Sequence, residues 1–374
     1  MIHTKFLDIF GTQYPIIQAG MGPYSTQNLC IAVAKAGALG LISTVGMGSF
    51  DMQGLGKFRY SAIFEEAPPA DLLSHSVDAV IEGLQDFPDA KFGINIPVSE
   101  EFIPTAAELI RTVIDLCHNR PEVREKLKVI VTSAGDPLPW AVDPQGKELP
   151  QSVAIKTELP EITWCHVVPS VRAAKRVEKA GADVIIASGR EGGAHCSWRD
   201  VSSMVLIPEV VQNVSLPVVA AGGFADGLSL AAALALGAIG IQMGTRFIAT
   251  QESDFEQVWK EGLVEATEED TLVARGFFGP MRFLRNTRAL ELVSATLEGA
   301  PDLYRGIPTG SSNDIIRLEV EGLANLFKGD YDNTPILGGQ VAGRIHSIPS
   351  VADLLASIMN QAEERLRSLQ AYLL

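Results

Sequence analysis

Residues 188–198 read "SGREGGAHCSW" and follow "GADVIIA", an apolar run that reads as a buried strand. Small residues at 192–194 leave a bare length of backbone that a cofactor or substrate can approach closely. The stretch ends on His195, and imidazole is the side chain whose ordinary titration lies nearest neutrality, suited to general-base work or hydrogen-bond donation. Glu191 either orients this loop or is a solvated turn carboxylate. His166, at the end of an earlier apolar run, is the second candidate and reads as an inward-facing structural histidine. His3, His75, His118 and His346 occupy no matching context.

A second constellation is "PVVAAGGFADG" (217–227) followed by "GAIGIQMGTRF" (237–247). Gly222, Gly223, Gly244 and Thr245 stand at two neighbouring strand ends, where small residues let backbone N–H groups approach an anion. The helix after Gly223 points its positive end at the same place, so the pair reads as a phosphate site. One GG pair alone is equally a turn. In "QAGMG" (18–22), Gly20, Met21 and Gly22 present bare backbone against which a flat ring can lie, with an ordinary turn as the competing reading. Asn95, between Ile94 and Ile96 in an apolar run, can offer its amide to the ring edge and needs a hydrogen-bond partner wherever it points. No nucleophile elbow, HExxH helix, P-loop or complete dinucleotide fingerprint is present, and no metal-ligand cluster stands out.

Eight near-continuous apolar runs must position these residues: 15–20, 39–44, 91–97, 129–135, 163–170, 182–189, 217–223 and 239–245. Such runs suit parallel strands buried on both faces. One joint recurs in "CIAVAKAGALGLIST", "AAKRVEKAGADVIIASG" and "AAALALGAIGIQMGT": a helix passes through Gly-Ala into a strand. Ser170 and Asn28 are candidate N-caps, and Gly181 supplies the left-handed residue that ends a helix. The fold class is therefore α/β, a (β/α)8 TIM barrel whose active site lies at the C-terminal strand ends. Gly20, Asn95, Ser133, His166, Gly189, Gly222, Gly223 and Gly244 collect there, and the loops after strands seven and eight are the usual phosphate site of such barrels.

The expected domains are a barrel over 1–249, a small mainly helical domain over 250–330 inserted after the eighth strand, and a C-terminal segment, 331–374, packing back on the barrel. The segment 45–80 is long for a strand-to-helix connection and reads as a lid or subunit contact. A net charge of −15 repels nucleic acid and anionic membranes. Four cysteines without CxxC spacing read as buried or free thiols of a reducing compartment. With no signal peptide visible and no apolar run long enough to span a bilayer, the expected location is the cytoplasm.

"QAGMG", "FGINIP", "VVPSVRAAKRVEKAGADVIIASGREGGAH", "LPVVAAGGFADGLSLAAALALGAIGIQMGTRFIATQES" and "GGQVAGRI" together resemble the nitronate monooxygenase family, formerly called 2-nitropropane dioxygenases and related to flavin-dependent enoyl-ACP reductases. The resemblance runs in order from about residue 10 to residue 360. It implies a barrel that binds FMN non-covalently. Gly20, Met21 and Gly22 would contact the isoalloxazine through backbone, with Asn95 beside them. Ser188, Gly189 and Gly193 would flank the flavin, and Gly222, Gly223, Gly244 and Thr245 would hold the phosphate. His195 falls where the family has its catalytic histidine. The implied activity is oxidation of alkyl nitronates with O2, His195 acting as base on a small-molecule substrate. The alternative is an NAD(P)H-dependent flavin reductase acting on an enoyl-thioester or quinone; a non-enzymatic phosphate-ligand barrel is the third reading. This chain has Ala194 where the family usually has glycine, and Arg190 and Trp198 add bulk near the pocket. Homo-oligomer formation is left open.

Overall fold

The computed structural model describes residues 2–47, 49–52, 56–59, 67–141 and 153–373. Eight parallel strands form its centre: β1 (Ile16–Gln18), β2 (Gly40–Ser43), β3 (Phe92–Pro97), β4 (Leu127–Ser133), β5 (Thr163–Val168), β6 (Val184–Ser188), β7 (Val218–Ala221) and β8 (Gly240–Met243). Each pairs with the next, and β8 returns to β1. The last seam, between β1 and β2, is closed by a bridge from Ile17 to Leu39. Gln18, fully buried, reinforces it: its Oε1 accepts the Leu41 N–H at 2.8 Å, and its Nε2 donates to the Ala19 carbonyl. The eight expected strands are the eight found, and the barrel is closed.

Alternation along the strands divides two layers. Ile17, Leu41, Val129, Val131, Ile186 and Val219 pack with Phe6 and Phe10 in the barrel interior, while their neighbours Ile16, Ile42, Ile130, Ile185 and Ala220 pack against the surrounding helices. The short helix Lys5–Phe10 thus plugs the N-terminal end; a Cβ on Gly240, at the start of β8, would lie 2.6 Å from the Phe6 ring. The opposite end is left for the site.

Ser170 caps helix Val171–Ala180 by accepting the Ala173 N–H, and Gly181 ends it at φ 81°. The cap expected at Asn28 is corrected. Helix Gln27–Lys35 starts two residues earlier than that cap implies, and the Asn28 and Leu29 N–H groups donate to the Asp254 carboxylate at 3.2 and 3.1 Å. A carboxylate from beyond β8 replaces the local cap. The final helix, Val351–Leu369, packs on helix Gly227–Ala235; a Cβ on Gly227 would lie 2.4 Å from the Ile358 carbonyl.

After β8 come helices Gln257–Glu265, Thr287–Gly299 and Asn313–Leu326, together with an antiparallel hairpin, Thr271–Arg275 and Pro280–Leu284. The hairpin is absent from the sequence reading of this region. It gains a third strand from Ala194–His195, which pairs with Met281 and Arg282. The segment 45–80 is described only in part, as two paired strands (49–52 and 56–59) and helix Pro69–Gly83. The expectation of a lid or subunit contact in 45–80 rests in part on residues that lie outside the described residues. Among the described residues no helix is long and apolar enough to cross a membrane.

Candidate active site

A cavity of about 720 Å³ lies across the C-terminal strand ends. The twelve residues singled out in the sequence, Gly20, Met21, Gly22, Asn95, Ser188, Gly189, Gly193, His195, Gly222, Gly223, Gly244 and Thr245, all line it.

Gly222 and Gly223 adopt φ 83° and 85°, a left-handed backbone that a side chain disfavours. A Cβ on Gly222 would lie 2.6 Å from the Gly189 carbonyl, and one on Gly223 3.1 Å from the Glu191 Cβ. The N–H groups of Gly223 and Phe224 have no hydrogen-bond partner among the described residues, so they are free donors on the cavity wall. The following helix contributes less than its position suggests. Its Gly227 N–H donates to Gln361 at 2.8 Å and its Ser229 N–H to Asp226 at 2.8 Å, which uses two of its terminal donors. Gly244 lies beside Met21, and the Thr245 hydroxyl accepts the Gly339 N–H at 3.0 Å.

On the other side, a Cβ on Gly20 would lie 2.3 Å from that of Asn95, so "QAGMG" is seated against the Asn95 side chain. The Asn95 Nδ2 donates to the Val131 carbonyl and the Ser133 hydroxyl, both at 3.2 Å. Its required partner is thus on β4, and Oδ1 is the atom left for a ligand. Gln242, missed in the sequence reading, lines the cavity with a buried Oε1 that has no hydrogen-bond partner among the described residues. That orphan acceptor suits the N–H edge of a flat heterocycle, and the free donors near Gly223 suit a phosphate. The residues present fit FMN.

His195 is exposed at the cavity wall, its ring 6.1 Å from that of Phe278, which in turn packs on Phe102 at 4.5 Å. The preceding Ala194 sits at φ 58°, so the left-handed conformation is kept without glycine. Cys196, the next residue, lines the cavity, and burial pushes its thiol up to about 11 against the pull of Arg282. It stays a thiol at neutral pH. Glu191 is an orienting residue: its carboxylate accepts the Ser203 N–H at 3.0 Å and so holds the start of helix Ser203–Asn213. Trp198 lines the cavity with the Arg275 guanidinium 5.3 Å from its ring; Arg190 is exposed and lies 4.0 Å from Asp200.

His166 is buried at the cavity floor, its Nδ1 2.7 Å from the Thr132 hydroxyl and its Nε2 3.2 Å from the Gly135 carbonyl. Burial lowers its pKa to about 4, outweighing the Gly135 contact and Asp136. A neutral ring with Nε2–H satisfies both contacts, which makes it structural at neutral pH. Gly339, from "GGQVAGRI", packs between the 191–193 backbone and Thr245, and the sequence carried that signal in its GG pair.

The nitronate monooxygenase family model matches residues 3–361. A Rhodococcus jostii (strain RHA1) protein named (3aS,4S,5R,7aS)-5-hydroxy-7a-methyl-1-oxo-octahydro-1H-indene-4-carboxyl-CoA dehydrogenase is 28% identical, with 99% of this chain and 98% of that one covered. A Staphylococcus aureus (strain MSSA476) protein named "Probable nitronate monooxygenase" is 25% identical over 96% of this chain and 97% of its own. Among solved structures, FabK from Thermotoga maritima is similar with a TM-score of 0.75 and 30% identity, both chains covered in full. A match that spans the barrel, the glycine cradle and the His195 loop together leaves one conclusion: the chain belongs to the nitronate monooxygenase family of FMN-dependent oxidoreductases.

Proposed function

We propose that the enzyme oxidises alkyl nitronates, using FMN held in this cavity and O2 as the electron acceptor, with His195 as the base. The observation that carries the reading is the placement of His195: its strand pairs with the hairpin at Met281, which sets the imidazole at the wall of the cavity that also holds the glycine cradle. Bound FMN would supply the two-electron redox chemistry. The Gly223 and Phe224 N–H groups would hold its phosphate, and Gln242 and Asn95 would meet its ring edge. His195 would take the α-proton of a nitroalkane or hold the oxyanion of a nitronate. Phe102 and Phe278 would keep water from that place. On this reading 1–249 is the cofactor barrel, 250–330 the substrate-side domain and 331–374 the returning segment.

A second reading, an NAD(P)H-dependent flavin enzyme acting on an acyl thioester, is favoured by one observation. The cavity continues beyond the cradle to Leu323 and Pro335, more room than a small nitroalkane needs. The Rhodococcus relative carries a CoA thioester in its name. Anaerobic visible spectra separate the two. Bleaching of the flavin band by a nitronate, with none by NADH or NADPH, supports the monooxygenase. Bleaching by a nicotinamide alone overturns it in favour of the reductase.

A further inference from the structure

Beyond the barrel, the cavity runs into an apolar chamber walled by Met281, Phe283, Leu323, Pro335 and Leu337. One charged side chain stands among them. Glu319 lies on helix Asn313–Leu326, is 4% exposed and lines the cavity. Its Oε2 accepts the Phe277 N–H at 2.6 Å, whereas its Oε1 accepts no hydrogen bond from the described residues. A Cβ on Gly276 would lie 2.2 Å from Met281 Sδ and 3.0 Å from Glu319 Oε2, which puts the carboxylate against the chamber wall.

Glu319 is almost wholly buried, and a carboxylate oxygen that reaches a largely apolar cavity without a protein donor costs free energy until something supplies one. We propose that Glu319 is a specificity-determining residue whose free oxygen accepts a hydrogen bond from an uncharged donor, a hydroxyl, carried on an apolar part of the substrate. The apolar walls select the body of the substrate and the carboxylate selects its hydroxyl. An ammonium is a poorer occupant, because the Arg275 guanidinium already acts on this carboxyl. Burial pushes the carboxyl up to about 7, while the Phe277 N–H and Arg275 pull it down. The carboxyl is therefore costly to ionise, and a hydrogen-bond donor placed against it relieves that cost. Sites built around such a hydrogen bond reject analogues lacking the donor more strongly than apolar pockets reject a missing methylene.

The proposal rests on this cavity being the substrate pocket, not on nitronate as the substrate, and its test needs no turnover. Flavin-loaded enzyme is titrated at pH 8 with alkan-1-ols of four to ten carbons and with their methyl ethers, following the flavin difference spectrum and tryptophan emission. The expected result is at least one chain length at which the alcohol binds about tenfold or more tightly than its ether, the range of a hydrogen bond to a charged group. In Glu319→Gln the amide oxygen can keep the Phe277 contact while the NH2 group faces the chamber, so the preference disappears or reverses. The proposal is overturned if no chain length shows the preference in the wild type, or if Glu319→Gln keeps it. Absence of nitronate turnover alongside the expected titration would remove the proposed reaction and leave Glu319 in place.

Discussion

His195 stands directly across an antiparallel ladder from Met281, eighty-six positions later in the chain by their numbering. The backbone that carries the imidazole is therefore held from two sides, by the loop that leaves β6 and by a hairpin from the segment beyond β8. The hairpin tip carries Phe277 and Phe278, whose rings are 4.2 Å apart. A residue that opens the barrel site and a residue that roofs it belong to one small sheet.

If His195 is the base, His195→Ala keeps bound flavin while turnover falls at least about tenfold, a floor set below the roughly hundredfold to ten-thousandfold contribution usual for a general acid–base group. The backbone pairing with Met281 does not need the imidazole, so flavin content and thermal midpoint should stay near those of the wild type. Stopped-flow reduction by a nitronate and a flavin absorbance ratio test both halves. A variant with full activity removes His195 from the mechanism.

Gly223→Asp should give colourless protein. The position has φ 85°, a Cβ would lie 3.1 Å from that of Glu191, and the new carboxylate would face the N–H groups assigned to phosphate. Strain and like-charge repulsion act together. The visible spectrum of the purified variant decides it, and a protein that stays yellow places the phosphate elsewhere.

The barrel was legible because its strands are buried on both faces and read as unbroken apolar runs. The cradle was legible because few residues besides glycine take the left-handed backbone of 222 and 223. What was not legible depends on partners distant in sequence. Asp254 caps the helix at Asn28 and Leu29 across about 225 positions, and Gln361 takes the Gly227 donor expected to face a phosphate. Nothing in "RGFFGPMRFL" states that it will pair with residues 194 and 195. Glu319 did leave a signal: with Ile315 and Leu323 it forms an i, i+4, i+8 series, a carboxylate on the stripe that faces inward.

Ala194 holds φ 58° without glycine, and the left-handed region costs an alanine about 1–2 kcal/mol. Ala194→Gly relieves that cost but frees the unfolded chain by about 0.4–1 kcal/mol. The balance favours the variant by up to about 1.6 kcal/mol. Urea denaturation of both proteins, read at equal m-value, should show a higher midpoint for Ala194→Gly. A lower midpoint would mean that the Ala194 methyl makes compensating contacts.

His166 gives the fold an acid limit. Its ordinary pKa is 6.5 and burial lowers it to about 4 in the folded protein. The unfolded chain therefore binds a proton that the folded chain refuses between these values, so stability is full above about pH 6.5 and falls as the pH drops towards 4. The size is about 3 kcal/mol at the acid end, from 1.36 kcal/mol per unit. Carboxylates add their own acid dependence, so the measurement is a difference of differences. The loss of unfolding free energy between pH 7.5 and 4.5 should be smaller in His166→Asn than in the wild type by about 2 kcal/mol, even though the variant is less stable at pH 7.5 for want of the Thr132 and Gly135 contacts. Equal losses in the two proteins would mean that His166 is protonated in the folded state, and that the Thr132–His166–Gly135 chain carries a positive charge beneath the cavity.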